Sequence, residues 1–199
     1  MLGSLDLDTK EAAMSNRITR LNFEELTPAA QSVLDARVKR LGYLGEFFRC
    51  AGHQPAVLIP FMEMTEALKK ALPDRLTEVG ALTIASLMGN DYERHQHERL
   101  SVRLGFGREW VAAVERLDPE TGDELSAEER AVQRFVQLAV ERKAKGVGQE
   151  FDALIDAIGA DQAIALLFLI GRYITHALIV NTLELAPPVP SIFSSDSDL

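Results

Sequence analysis

The chain has 199 residues, 47% of them hydrophobic, and a formal net charge of −9. That length allows one large domain or two small ones, and the apolar share is enough for a substantial core, which excludes global disorder. Its only basic clusters, Lys69-Lys70 and Lys143-Ala144-Lys145, are small and isolated. Non-specific nucleic-acid binding, which draws on many Lys and Arg meeting phosphates, is therefore excluded.

Residues 1–16 carry Asp6, Asp8 and Glu11 and no apolar stretch, so they read as a mobile leader, not a signal peptide. Thr27-Pro28 reads as an N-cap followed by Pro at the first helical position, in a helix ending near Gly42. Cys50 is the only cysteine, which excludes an intramolecular disulfide. It reads as a small buried hydrophobe beside Phe47 and Phe48; a reactive thiol needs a cation or a helix N-terminus, and Arg49 is its neighbour. Gln54-Pro55 opens a helix that runs to Pro73, with Pro60 inside predicting a kink or a late start. Asp74 is placed to cap RLTEVGALTIASLM, apolar on most faces and so expected to be buried. Gly89-Asn90 breaks the pattern, and Asp91-Tyr92-Glu93 starts a helix ending near Gly105.

Asp118–Asp123 reads as an exposed loop. Ser126 and Glu129 form a capping box for the next helix, which Gly146 stops. Asp161 is placed to cap QAIALLFLIGRYITHALIVNTLEL, ended by Pro187-Pro188. No stretch alternates with period two between hairpin turns, so the prediction is all-α. One domain, 17–186, is expected in two helical halves, 17–117 and 124–186, followed by a flexible tail, 187–199. The longest apolar run, Ala163–Ile170, falls short of the roughly 20 residues that span a bilayer. A cytoplasmic protein with neither membrane nor nucleic-acid partners is expected.

Asn90, Glu93 and His97 are spaced three and four apart, which puts them on one stripe of a helix. Glu93 can accept an imidazole N–H of His97, fix its tautomer and raise its pKa; Glu78 can reach the same ring from the preceding helix. Such a unit suits proton transfer near neutral pH. The plainer reading is a surface i,i+4 pair contributing about 0.2–0.5 kcal/mol. Asn90 reads as a helix N-cap, as a holder of a ligand carboxylate or carbonyl, or as both. His95 points away from His97 by about 160°, towards solvent or an oligomer contact, and Glu98 is expected in local ion pairs. Arg172, Tyr173 and His176 share an otherwise apolar helix, where buried polar groups must find partners. Arg172 and His176 need an anion between them, either an anionic substrate or a structural carboxylate such as Glu63 or Glu66. Glu78, Glu93 and His97 are metal-ligand types, yet their spacing is neither HExxH nor Glu-x-x-His, so no metal is expected.

Residues 78–98, EVGALTIASLMGNDYERHQHE, resemble the carboxymuconolactone decarboxylase and alkylhydroperoxidase D family. There a Glu, about twelve residues on a Cys, three later a second Cys and four later a His form a thiol and proton-relay site. Here Glu78 and His97 stand in that frame, while Asn90 and Glu93 fill the two cysteine positions. LSAEERAVQRFVQLAV and GRYITHALIVNTLEL, with Gly171, Tyr173 and Asn181, extend the resemblance over most of the chain. Arg94 stands where many relatives carry Trp, and Ile174 and Leu178 where polar residues are common. The resemblance implies an alkylhydroperoxidase D-like helical bundle that forms a homo-oligomer, a trimer or hexamer or alternatively a dimer. It implies a cofactor-independent lyase or isomerase acting on a small carboxylic or lactone substrate. His97, Glu93 and Glu78 would be catalytic; Asn90, Tyr92, Arg172, Tyr173 and His176 would bind substrate. The alternative it leaves is a peroxidase-related protein without dithiol activity, in a binding or antioxidant-associated role.

Overall fold

Capping chemistry sets most helix starts. The computed structural model describes residues 17–194, so the expected leader 1–16 and the last tail residues, 195–199, lie outside the described residues. After a 3-10 turn at Phe23–Glu25, α1 (Pro28–Leu41) begins where the Thr27 hydroxyl accepts the Ala30 N–H, and it ends at Gly42, whose φ of +80° suits a residue without a Cβ. Short α2 (Glu46–Ala51) and long α3 (Pro55–Ala71) follow, then α4 (Asp74–Leu87), α5 (Asp91–Arg103), α6 (Arg108–Glu115), α7 (Ala127–Glu141), α8 (Gly148–Ile158) and α9 (Ala160–Thr182). Among the described residues there is no strand, and the fold is all-α.

Several boundaries differ from the sequence reading. Pro60 lies inside α3 without a break between Pro55 and Ala71, because so near the helix start it removes a single backbone hydrogen bond. Asp74 is the first residue of α4, not its cap; Pro73 takes the cap position. Helix α7 ends at Glu141, five residues before Gly146, where Lys143 and Ala144 adopt left-handed φ of 54° and 56°. Asp161 lies within α9, which starts at Ala160. Short α2 and α6 were not anticipated.

The chain divides into two compact units that cut across the expected halves: residues 17–64 with 179–186, and residues 65–178 with 187–194. In the first, Phe47 meets Phe48 edge-on at 5.1 Å and Phe61 at 5.9 Å. Cys50 is buried there, and burial pushes its thiol pKa up.

In the second unit α4 is the central element, buried at every residue from Leu76 to Ala85 and packed on α5, α6 and α7. Gly80 admits α9 closely: a Cβ there would lie 2.7 Å from Leu169 Cδ2. Glu129, fully buried on α7, closes the capping box by accepting the Ser126 N–H at 2.6 Å, and it also accepts from Arg75 and from Trp110 Nε1. The segment 187–194, expected as part of a flexible tail, is instead anchored on α5: Ile192 is fully buried, and its N–H donates to Glu98 Oε2 at 2.7 Å. Over its 23 residues α9 is long and apolar enough, by length and composition, to cross a membrane. More than half of its most apolar window is buried within the protein, as in a core helix.

Ser126→Ala should remove the acceptor of the Glu129 N–H and lower stability by about 1 kcal/mol. Denaturant unfolding should show a lower midpoint with an unchanged slope, since the same surface is exposed.

Candidate active site

Every member of the site belongs to the second unit. Helix α4 supplies Glu78, α5 supplies Tyr92, Glu93, His97 and Ser101, α9 supplies Arg172, Tyr173 and His176, and the last turns of α3 supply Thr65. The turn between α4 and α5 makes the meeting possible. Gly89 takes a φ of +60°, and the Asn90 carbonyl oxygen Oδ1 accepts the Glu93 N–H at 3.2 Å, starting α5 directly beside the end of α4.

Two polar systems share these residues. The first is a line of three groups. Glu78 Oε2 lies 2.7 Å from His97 Nδ1, and the Tyr173 hydroxyl lies 3.0 Å from His97 Nε2. An ionised carboxylate only accepts, so Nδ1 carries a proton and Nε2 is the nitrogen whose protonation changes. In the neutral ring Nε2 accepts from the Tyr173 hydroxyl; in the imidazolium it donates to the same oxygen. Ser101 donates to Glu78 Oε2 at 3.3 Å and steadies the carboxylate. Burial pushes the His97 pKa down, but the charge and hydrogen bond of Glu78 and the charge of Glu93 outweigh it, and the net shift is upward.

The second system is an ion cluster around Glu93. Its Oε1 accepts from Arg172 Nη1 at 3.0 Å and His176 Nε2 at 3.1 Å, while Oε2 lies 3.7 Å from His97 Nε2. Burial would raise this carboxyl's pKa; His176, Arg172 and His97 around it hold it well below the usual carboxylate range. Arg172 donates through Nε to Thr65 Oγ1 at 3.4 Å, and its guanidinium lies 4.3 Å from the centre of the Tyr173 ring. Burial lowers its pKa, yet Tyr173 and Glu93 more than offset that, so it stays charged.

Asn90 links the two. Because Oδ1 is held by the Glu93 N–H, Nδ2 faces His176 Nδ1, at 3.4 Å, and donates to it. His176 Nε2, the other ring nitrogen, points at Glu93 Oε1 and donates to it. Tyr92 packs its ring 5.8 Å from that of His176. Among these residues His97 has its side chain 12% exposed, whereas Glu78, Asn90, Tyr92, Glu93, Arg172, Tyr173 and His176 are all buried.

All eight residues singled out from the sequence thus meet in one place, with altered roles. The carboxylate between Arg172 and His176 is Glu93; Glu63 and Glu66 are exposed, and Glu66 pairs with Lys69. The partner that fixes the His97 tautomer is Glu78, not Glu93. His95 meets the backbone carbonyl of Val189 at 3.1 Å, and Glu98 forms hydrogen bonds with the C-terminal segment instead of ion pairs. Ser101 and Thr65 were missed. Ser101 continues the 93-97 stripe by another four residues, a signal the spacing carried. Nothing in the sequence ties Thr65 to Arg172, 107 positions away. Among the described residues, no group of three or more His, Cys, Asp or Glu side chains is arranged to hold a metal ion.

No protein-family model and no curated protein matches the chain. Solved structures of the debrominase Bmp8 do. One, a cysteine-to-alanine variant in complex with 2,3,4-tribromopyrrole, superposes with a TM-score of 0.73 at 20% identity over 86% of this chain and 91% of its own. The apo form gives 0.74 at 19% identity over 87% and 93%. At that identity the likeness carries the fold alone, and the chain shares the all-α fold of Bmp8.

Proposed function

We propose that this protein is a small-molecule, lyase- or isomerase-like enzyme that works by acid–base chemistry without a thiol. The observation that carries the reading is the line Glu78–His97–Tyr173, joined at 2.7 and 3.0 Å and centred on an imidazole whose side chain is 12% exposed. His97 is the proton carrier. Glu78 orients it and stabilises the imidazolium, and the Tyr173 hydroxyl passes protons between Nε2 and the substrate. The fold shared with Bmp8, whose variant binds tribromopyrrole, supports a small ring-shaped substrate.

Pairing narrows the substrate further. Arg172 is already bonded to Glu93 and Thr65, and this favours a lactone or another uncharged ring over a free carboxylic acid. Peroxide reduction by a dithiol cycle has no support, since Cys50 is the only cysteine and its thiol pKa is raised. The peroxidase-related alternative therefore reduces to a binding role. Self-association remains part of the proposal, supported by the exposed apolar side chains Ile164, Phe168 and Leu178 on α9.

The direct test is a thermal-shift screen of lactones and neutral heterocycles, followed by turnover assays on every compound that stabilises the protein. Binding without turnover of any binder would overturn the enzyme reading in favour of the binding role. On a turned-over substrate, His97→Gln should cost on the order of 10²–10⁴ in rate with a stability change of roughly 1 kcal/mol or less. Wild-type rates in that variant would remove His97 from the mechanism.

Glu93→Gln should behave in the opposite way. It leaves the Arg172 charge buried without its counter-ion, so stability should fall by about 3 kcal/mol or more. The pH dependence separates the two groups. The contribution of Glu93, whose pKa is lowered on folding, is present above the unfolded value of 4.5 and is lost as pH falls through the folded one. That of His97, whose pKa is raised, is present below 6.5 and is lost as pH rises through the folded value. Unfolding curves across pH should show the acid-side loss shrink in Glu93→Gln and the alkaline-side loss shrink in His97→Gln.

A further inference from the structure

Helix α9 gives Arg172, Tyr173 and His176 to the site from its buried side, while its other side is bare. Between Ile164 and Leu178 the exposed residues are Ile164, Leu167, Phe168, Gly171, Thr175 and Leu178. Phe168 is 60% exposed, Leu178 57%, Ile164 49% and Leu167 39%. Thr175, the one polar side chain among the six, already donates to the Gly171 carbonyl at 2.9 Å and brings no unmet hydrogen bond to a contact. Charged residues make up 26% of the chain, and none lies on this face.

Gly171 is a second, independent observation. Glycine inside a helix costs stability and is kept where something must come close. Gly80 has such a reason within the chain, because its Cβ would lie 2.7 Å from Leu169 Cδ2. Gly171 has none: a Cβ there would meet no atom within 4 Å among the described residues. It stands seven residues after Ile164 and seven before Leu178, about two helical turns either way, and so on the same face.

We propose that this face is the contact between two copies of the chain, their α9 helices antiparallel and crossing at Gly171 on a two-fold axis. Such a contact needs a patch complementary to itself. About Gly171 the sequence has that property. Leu178 meets Ile164 of the second copy, Thr175 meets Leu167, and half-buried Ile174 meets Phe168, while the two glycines let the backbones close. At roughly 200 Å² for a whole side chain, the four large residues expose roughly 400 Å² per copy. That is about half of the roughly 800 Å² that one partner brings to a standard interface, so the contact is small and its dissociation constant is expected in the micromolar range. Charge selects the occupant. A chain of net charge −9 repels its own copies where acidic groups face each other, and here none do. A membrane surface calls for Lys or Arg beside the apolar stripe, whereas the nearest exposed charges along the chain are Asp161 and Glu184. The inference gives the self-association proposed above a surface and a symmetry, and it is independent of the enzyme reading.

Sedimentation velocity of the full chain from about 1 to about 100 µM tests the contact. The wild type should show a monomer–dimer equilibrium, and Phe168→Glu should weaken it at least about ten-fold with the unfolding midpoint unchanged. Gly171→Cys tests the axis. Two copies of that residue come within disulfide reach, so mild oxidation should give a covalent dimer. Leu178→Cys should give none, because its counterpart lies roughly 20 Å away along an antiparallel pair. Cys50 is buried, and the wild type supplies the baseline for it. A wild type that stays monomeric at about 100 µM overturns the contact. Self-association that Phe168→Glu leaves intact, no cross-link at Gly171→Cys, or one formed as readily at Leu178→Cys, overturns this face while leaving the enzyme reading untouched. A monomer that floats with phosphatidylcholine vesicles gives the face to lipid and overturns the dimer as well.

Discussion

A guanidinium cannot give up its charge at any pH a cell experiences, and Arg172 sits on a helix whose other residues are almost all apolar. Everything near the site follows from neutralising that one buried charge. Glu93 does so with a hydrogen bond of 3.0 Å, and His176 takes a second position on the same oxygen. To reach them α5 must start within hydrogen-bonding distance of α9. The Gly89-Asn90 turn supplies that start, and Asn90 serves as both helix cap and partner of His176. Removing either charge would leave the other stranded, which makes this pair a constraint on register more than a source of net stability.

With Glu93 committed to Arg172, the two carboxylates beside His97 are no longer equivalent. Glu78 holds the ring by a direct bond to Nδ1, while Glu93 acts on it through space from 3.7 Å. Both favour the imidazolium, yet Glu78 alone selects which nitrogen changes its proton. A thiol-free site can run proton transfer with such a division, because the charged cluster supplies a fixed field and the Glu78–His97–Tyr173 line supplies the movable proton. Arg172 joins the two systems, its guanidinium lying over the Tyr173 ring at 4.3 Å from the ring centre.

Helix α5 is markedly polar for an element so well covered, and it is held from two directions. Glu93, His97 and Ser101 meet α4 and α9, while His95, Glu98 and Arg99 hold the C-terminal segment. Its stability rests on satisfied hydrogen bonds more than on apolar burial.

Helices, caps and the stripe of site residues were legible in the sequence because they are local. Thr27, Asn90 and Ser126 cap the helices they precede, and the spacing of 90, 93 and 97 put one face of α5 on display. Glu78 was singled out through the resemblance to the decarboxylase family, and the structure places it 2.7 Å from His97. Which carboxylate would neutralise Arg172 was not legible. Glu63, Glu66 and Glu93 are chemically alike, and only the packing of α9 against α5 brings Glu93 within reach and leaves the other two in solvent. Thr65, the two compact units and the docked C-terminal segment were hidden for the same reason. Pro, Ser and Asp in the tail signal flexibility to any local rule. Ile192 is nevertheless buried, because a carboxylate 94 residues away accepts its N–H. Local physical chemistry determined what each segment would become; the tertiary structure decided which charges would meet, since long-range electrostatic partners carry no signature in sequence spacing.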